Sequence, residues 1–451
     1  MPVRLIESLA TTEPLADVFS DLSVLQAMLD FEVALARAEA ELGIIPQSAA
    51  RAIARCSRAE EHDTAALARA TLRAGTPGIP VVKGLRKRVQ QEDAGASDFV
   101  HWGATSQDVA DTAIVLLLKK AAAILDADLA RIEKALRPLA AKYRNTVMLG
   151  RTLLQPAPPL TMGLKAAGWL ASVRRGRARL ARAVSEGLLL QFGGASGTLA
   201  TLGNRGPRVA ELLAKRLRLD LPEAPWHTYR DRIAEVVCAC GILTGSLGKM
   251  ARDISLLMQH EVGEVSEPGG DGRGGSSTMP QKRNPIASAI ALAAANRVPG
   301  LTAAFLSQMV QEHERGVGGW QAEWPTISEV IQSAGVAVAS MAEVAEGLSI
   351  SPARMKDNLK STQGTIFAEK AALLLSAKLG REAAHEALER ATDPKKMRGR
   401  TLAQALADIP EAQADKKLRA SLEDPEAYLG AAQTFTRRLS SSTRARPRGR
   451  K

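Results

Sequence analysis

The chain has 451 residues, longer than a single hydrophobic core usually grows, so two or three domains are expected. Its residues are 45% apolar but only 3% aromatic, so the interior is built mainly from Ala, Leu, Val and Ile, a mix that favours closely packed helices and an all-α fold. The formal charge of +12 would suit a nucleic-acid binder, yet seven of the basic residues lie between Arg437 and Lys451 with no acidic residue among them, and the remainder carries only +5. That Ser-, Arg-, Pro- and Gly-rich tail, 440–451, is expected to be disordered and can offer weak polyanion binding or simple solubility. Cys56, Cys238 and Cys240 are too few for a disulfide framework and are expected to be reduced. The N-terminus shows no basic segment followed by an apolar run and a cleavage site, and no stretch of about 18 uncharged apolar residues occurs. A soluble cytoplasmic protein is the expectation.

In chain order, Leu22 to Leu42 carries apolar residues at helical spacing and stops at Gly43 with Pro46 beyond. Short helices fit up to about Arg88, with Gly75 to Pro80 as an irregular loop, and a first domain is expected over 1–110. From Asp111 the apolar positions Leu118, Leu125, Leu129, Ile132, Leu136 and Leu139 form the seam of a long bundle helix that Pro138 is placed to kink. Helices over Leu160–Leu190, Arg232–Glu264 and Ile286–Gln311 extend the bundle through a second domain, 111–352. Within it the glycine-dense run Gly269–Gly275 forbids regular structure and is expected to move. Shorter helices make a third domain, 353–439. No sustained strand pattern is visible.

The run Ser276 to Pro285 sets hydroxyls, an ammonium and a carboxamide directly after those glycines, which a plain hinge does not require. The Gly-x-x-x-x-Gly-Lys-Ser/Thr phosphate pattern is absent. Read as Gly-Ser-Ser-x-Met-Pro-x-Lys-x-Asn-Pro, the segment resembles the mobile loop of the fumarase, aspartase, argininosuccinate lyase and adenylosuccinate lyase superfamily. That resemblance implies a three-domain, all-α tetramer with a central helical bundle and active sites shared between subunits. It makes Ser276 the base acting on the carbon beside a substrate carboxylate, with Ser277 adding a hydrogen bond and Lys282 and Asn284 holding that carboxylate as charge develops.

Two further segments resemble the same superfamily. In His101-Trp-Gly-Ala-Thr105-Ser106-Gln-Asp108 the resemblance assigns Thr105 and Ser106 to a carboxylate and makes His101 a group that orients substrate or moves a proton. By residue type alone, Ser106 reads as a helix N-cap, Asp108 as a dipole partner and His101 as a structural histidine. In Thr152-Leu153-Leu154-Gln155-Pro-Ala157, Gln155 falls on a substrate-binding position, but Leu153 stands where the lyases carry a proton-transferring histidine. Near Gln311-Glu-His-Glu-Arg315, which supplies Arg315 as a substrate contact, Trp324 stands where adenylosuccinate lyases carry a phosphate-binding arginine. Both departures, with Leu190 to Ala200 and Asp253 to Gln259, are similar to the bacterial 3-carboxy-cis,cis-muconate cycloisomerases.

The resemblance therefore implies an intramolecular lyase acting on a small polycarboxylate in aromatic-acid breakdown. A fumarate-releasing lyase is the alternative, and a helical scaffold or polyanion binder the non-enzymatic one. The six histidines match no metal-ligand spacing, so no metal, cofactor or membrane partner is expected. The carboxylates of Met258 to Pro268 read either as an acid and base pair or as a support beneath the loop.

Overall fold

The computed structural model describes residues 5–270, 274–275, 279, 282–410 and 420–441. The chain is 68% helical, and the all-α expectation holds. It packs as two compact units, the first Met1–Ala130, Arg175–Lys249 and Ile290–Met341, the second Arg131–Arg174, Met250–Ala289 and Ala342–Lys451. The tail from residue 442 lies outside the described residues.

In the first unit, α1 (Glu13–Val18) precedes α2 (Asp21–Glu41), where Ser20 Oγ accepts the amide of Ser23 and Gly43 in a left-handed conformation ends the turn. Met28, Leu29, Phe31 and Leu35 bury one face of α2, and Glu32 and Glu39 are buried with them. Then come α3 (Gln47–Arg55), α4 (Thr64–Ala74) and α5 (Gly78–Glu92). The irregular loop expected over Gly75 to Pro80 is shorter than its Pro and Gly content suggests. Gly75 caps α4, and α5 starts at Gly78 because Pro80 falls in its first turn, where no amide hydrogen is needed.

The bundle seam forms as α6 (Ser106–Lys142), which continues through Pro138. Leu118, Leu125, Leu129, Ile132 and Leu136 are buried, but Ala140 takes the next buried position and Leu139 is only half-buried. The further helices are α7 (Met162–Gly187), α8 (Gly206–Leu217), which packs on α2, α9 (Asp231–Leu257), α10 (Ile286–Ser307) and α11 (Gly319–Gly347). Gly248 in α9 lets a neighbour approach closely, since a Cβ there would lie 2.5 Å from that of Ala295 in α10. By length and composition alone α9, α10 and α11 could cross a membrane; the apolar windows of α9 and α11 are mostly buried in the fold, while that of α10 is only 22% buried.

The second unit holds what the sequence pattern hid. Strands β1 (Val147–Thr152) and β2 (Gln155–Thr161) form an antiparallel hairpin in the register Thr152↔Gln155. Three prolines and Gly150 blank the strand pattern there, and Gly150 is required because a Cβ would sit 2.1 Å from the Pro158 carbonyl oxygen. A second short pair joins β3 (Val265–Ser266) to β4 (Ser349–Ile350). Beyond it α12 (Pro352–Ser361), α13 (Ala368–Leu379), α14 (Arg381–Thr392) and α15 (Leu402–Leu406) close a separate core around Phe367, Leu375, Leu388 and Leu406.

Candidate active site

The sequence-derived residues fall into two groups, one in each unit. In the first unit the start of α6 is the organising element. Thr105 caps it, and Asp108 turns back so that its Oδ2 accepts the Thr105 amide at 3.0 Å. The N-cap is thus Thr105, and Ser106 is the first helical residue. Asp108 is buried and saturated: it also accepts the amides of Gly193 and Gly194 at 3.0 and 2.9 Å and lies 2.7 Å from His227 Nε2. With its backbone fixed, Thr105 Oγ1 accepts Arg315 Nη1 at 2.8 Å, and Ser106 Oγ lies 3.5 Å from Arg315 Nη2. A guanidinium and two hydroxyls at the positive end of a 37-residue helix make a cradle that is chemically able to hold an anion.

Beneath the cradle lies a second network. Arg230, buried with Asp111 and Glu323, bonds them at 2.8 and 2.6 Å and stacks on the Trp226 ring at 4.8 Å. Burial alone would lower the Arg230 pKa; the two carboxylates raise it. Glu323 is pushed up to about 7 by its burial, against the opposing pull of Arg230. Trp320 Nε1 donates to Asp111 at 2.9 Å and Gln311 Nε2 to Glu323 at 2.8 Å, tying the start of α11 to α6. Trp320 and Trp324 pack edge to face, centroids 6.2 Å apart, and line a cavity of about 490 Å³ with Met28, Leu67 and Thr76.

His101, in the left-handed region at φ 63°, places Nδ1 2.7 Å from Glu32 Oε1. Burial would depress its pKa, but the charge and hydrogen bond of Glu32, with a smaller contribution from Asp108, hold it above the ordinary histidine range.

The second unit carries Gln155, Lys282 and Asn284. Gln155 is exposed at the start of β2, beside the hairpin tip. Leu153 and Leu154 form that tip with φ 50° and 65°, positions that usually take Asn and Gly, and are 97% and 75% exposed. Asn284 donates its amide to the Gly274 carbonyl at 2.9 Å, closing the loop at its base, and Gly274 there has φ +65°. Lys282 is exposed and its amide bonds the Met279 carbonyl at 3.0 Å. Ser276 and Ser277, with residues 271–273 of the glycine run, lie outside the described residues.

The carboxylates before the loop have structural partners. Glu264 is fully buried, accepts Arg151 in a fork at 2.8 and 3.1 Å and takes Asn358 Nδ2 at 2.7 Å. Glu267 accepts the amides of Ala287 and Ser288 at 3.0 and 2.8 Å, capping α10. The supporting role therefore prevails over the acid and base pair. Sequence reasoning missed Glu32, Arg230 and the hub role of Asp108. One signal was available: Glu32 and Glu39, seven apart, interrupt the apolar face of α2.

The family described as Lyase matches residues 8–300 of this chain. A 3-carboxy-cis,cis-muconate cycloisomerase of Bradyrhizobium diazoefficiens is 50% identical over 424 residues, covering 94% of each chain. One from Pseudomonas aeruginosa is 46% identical over 439 residues, covering 96% of this chain and 95% of that protein. The crystal structure of the 3-carboxy-cis,cis-muconate lactonizing enzyme from Pseudomonas putida superimposes with a TM-score of 0.90 at 44% identity, covering 97% of this chain and 98% of that one. With a match spanning more than half its length and relatives of this identity along nearly all of it, the chain belongs to this lyase family.

Proposed function

We propose that the chain is a cofactor-free cycloisomerase that closes 3-carboxy-cis,cis-muconate to its carboxylated muconolactone. A carboxylate of the substrate adds to a double bond of the same molecule, forming the ring C–O bond, while the carbon beside a second carboxylate takes a proton. In this reading Ser276 gives that proton in the forward direction and removes it in reverse. Lys282, Asn284 and Ser277 hold the carboxylate on which charge collects, as fixed donors aimed at developing charge. The Thr105, Ser106 and Arg315 cradle binds another carboxylate, and Gln155 serves as a further substrate contact.

The observation that carries this reading over a fumarate-releasing one is the chemistry of positions 153 and 324. A carboxylate, with a pKa near 4, enters and leaves without a proton, so a leucine at 153 does no harm where an amine or alcohol would need an acid. Among the described residues, those lining the cavity at Trp324 are apolar or uncharged apart from Asp21, with no Lys, Arg or His to meet a nucleotide phosphate.

Ultraviolet absorbance separates the two readings: purified protein is expected to consume 3-carboxy-cis,cis-muconate and leave adenylosuccinate unchanged, and the reverse result overturns the proposal. The domain organisation 1–110, 111–352 and 353–439 remains our proposal, supported by the start of α12 at Pro352 and by the helical core beyond it, which Leu149 of β1 also enters. A soluble cytoplasmic homotetramer sharing its active sites between subunits is proposed on the exposed apolar surface of α10 and the bare Leu153–Leu154 tip. Light scattering at micromolar concentration tests the assembly, and a monomer would overturn it.

A further inference from the structure

Glu32 is 1% exposed, and the lyase reading gives it no task. An ionised carboxylate out of water costs several kcal/mol unless a partner compensates it, and the partner here is the His101 ring, 2.7 Å away. His101 in turn holds a left-handed backbone that costs a non-glycine residue roughly 1–2 kcal/mol, a strain that persists only where its surroundings determine it. The bond to Glu32 engages Nδ1, so Nε2 is the nitrogen available to a ligand.

Two further carboxyl groups stand near this pair. Asp108 of α6 adds negative potential at the ring, and its own oxygens are taken up by His227 and the amides of Thr105, Gly193 and Gly194. Glu39, two turns along α2 from Glu32, is buried with no hydrogen-bond partner among the described residues. Burial, then the charge of Glu32, pushes it up to about 9, so Glu39 is neutral at pH 7 and does not compete for the His101 proton.

We propose that Glu32 is a positioning residue of the carboxylate site: it fixes the His101 ring through Nδ1 and leaves Nε2–H to meet a carboxylate of the substrate. The proposal rests on the cycloisomerase reading for the identity of that substrate, and on geometry alone for the pairing. With Glu32 in place the protonated form of the ring is favoured, and it can act as a second cation beside Arg315.

The test is Glu32→Gln, which keeps the shape of the side chain and removes its charge. In protein labelled at the histidine rings, with His101→Gln to identify the resonance, the His101 titration midpoint is expected to fall by at least one pH unit in the variant. Circular dichroism should stay unchanged. With 3-carboxy-cis,cis-muconate, KM is expected to rise about tenfold at pH 8 and far less at pH 6, since a one-unit fall in midpoint costs about 1.4 kcal/mol of protonation free energy. Glu32→Asp, which keeps the charge but shortens its reach, should restore part of the midpoint. An unchanged midpoint, or a loss of activity equal at all pH values, overturns the proposal. If neither protein turns over the muconate, the functional reading falls, and the ring titration, read without substrate, still decides the pairing.

Discussion

The start of α6 and the loop before α10 both carry residues of the proposed site, but they are built in opposite ways. At α6 nearly every polar group is already spoken for. Asp108 holds three amides and a histidine, Arg230 spans two carboxylates, and Arg315 rests on Thr105. Around the loop, the described residues show fewer ties: Glu267 caps α10, the Asn284 amide bonds the Gly274 carbonyl, and Lys282 stands exposed. Binding groups that recognise a ground-state carboxylate can be rigid from the start. A group that acts only during the reaction needs to be placed only when substrate is bound.

Five substitutions break or sharpen that contrast. Ser276→Ala is expected to lower kcat by about 10² to 10⁴, the usual worth of a positioned base, with no change in melting temperature. Activity within tenfold of wild type would remove Ser276 from its role, and Ser277→Ala should be milder. Arg230→Leu belongs to the rigid half and should act in the opposite sense, through the fold. It leaves Asp111 and Glu323 buried without their cation, a loss of about 3–5 kcal/mol by denaturant unfolding. A stable Arg230→Leu protein would mean that the network under α6 is not what holds the cradle.

Glu39→Gln tests the one group in the rigid half that has no partner. Because Glu39 is raised from the ordinary 4.5 to about 9, the folded chain binds more protons than the unfolded one between those values. Its contribution to stability is complete below about pH 4.5 and is lost as the pH climbs towards 9. The amide variant escapes that loss, so its melting temperature should exceed wild type by a margin that widens from pH 5 to pH 8, and a constant or negative margin would contradict the assignment. The smallest effect is expected at the hairpin tip. Leu153→His should lower lactonisation a few-fold and create no fumarate release from adenylosuccinate, because a residue 97% exposed in the chain has little packing to lose within it. Appearance of fumarate would show that position 153 alone separates the two chemistries.

What could be read from the sequence follows from how local each feature is. The long helices were legible because apolar spacing and stop signals lie within one segment, and α2 differs from its expected limits by a single residue at each end. The β1–β2 hairpin was not, since Pro156, Pro158, Pro159 and Gly150 erase the alternation by which strands are recognised. Thr105, Ser106 and Arg315 could be named from motifs, and the structure brings them together across some 210 positions. The reason they hold their places could not be read, because the partners of Asp108 lie 85 to 119 positions away and no spacing rule reaches that far. Glu32 was hidden in plain view as one of two charges on an apolar helix face.

The wiring of Asp108 has a consequence for how the protein folds and fails. Every bond that locks the cradle, apart from the turn at Thr105, closes a loop of about 80 to 210 residues. Contacts so distant in sequence form late, after helices that need only their neighbours, because the chain entropy of closing the loop must be met before the contact returns anything. The cradle is therefore among the last parts of the first unit to assemble. On warming, ligand recognition should be lost ahead of helicity, so that heat-stressed protein keeps its circular dichroism while its affinity for carboxylates is already gone.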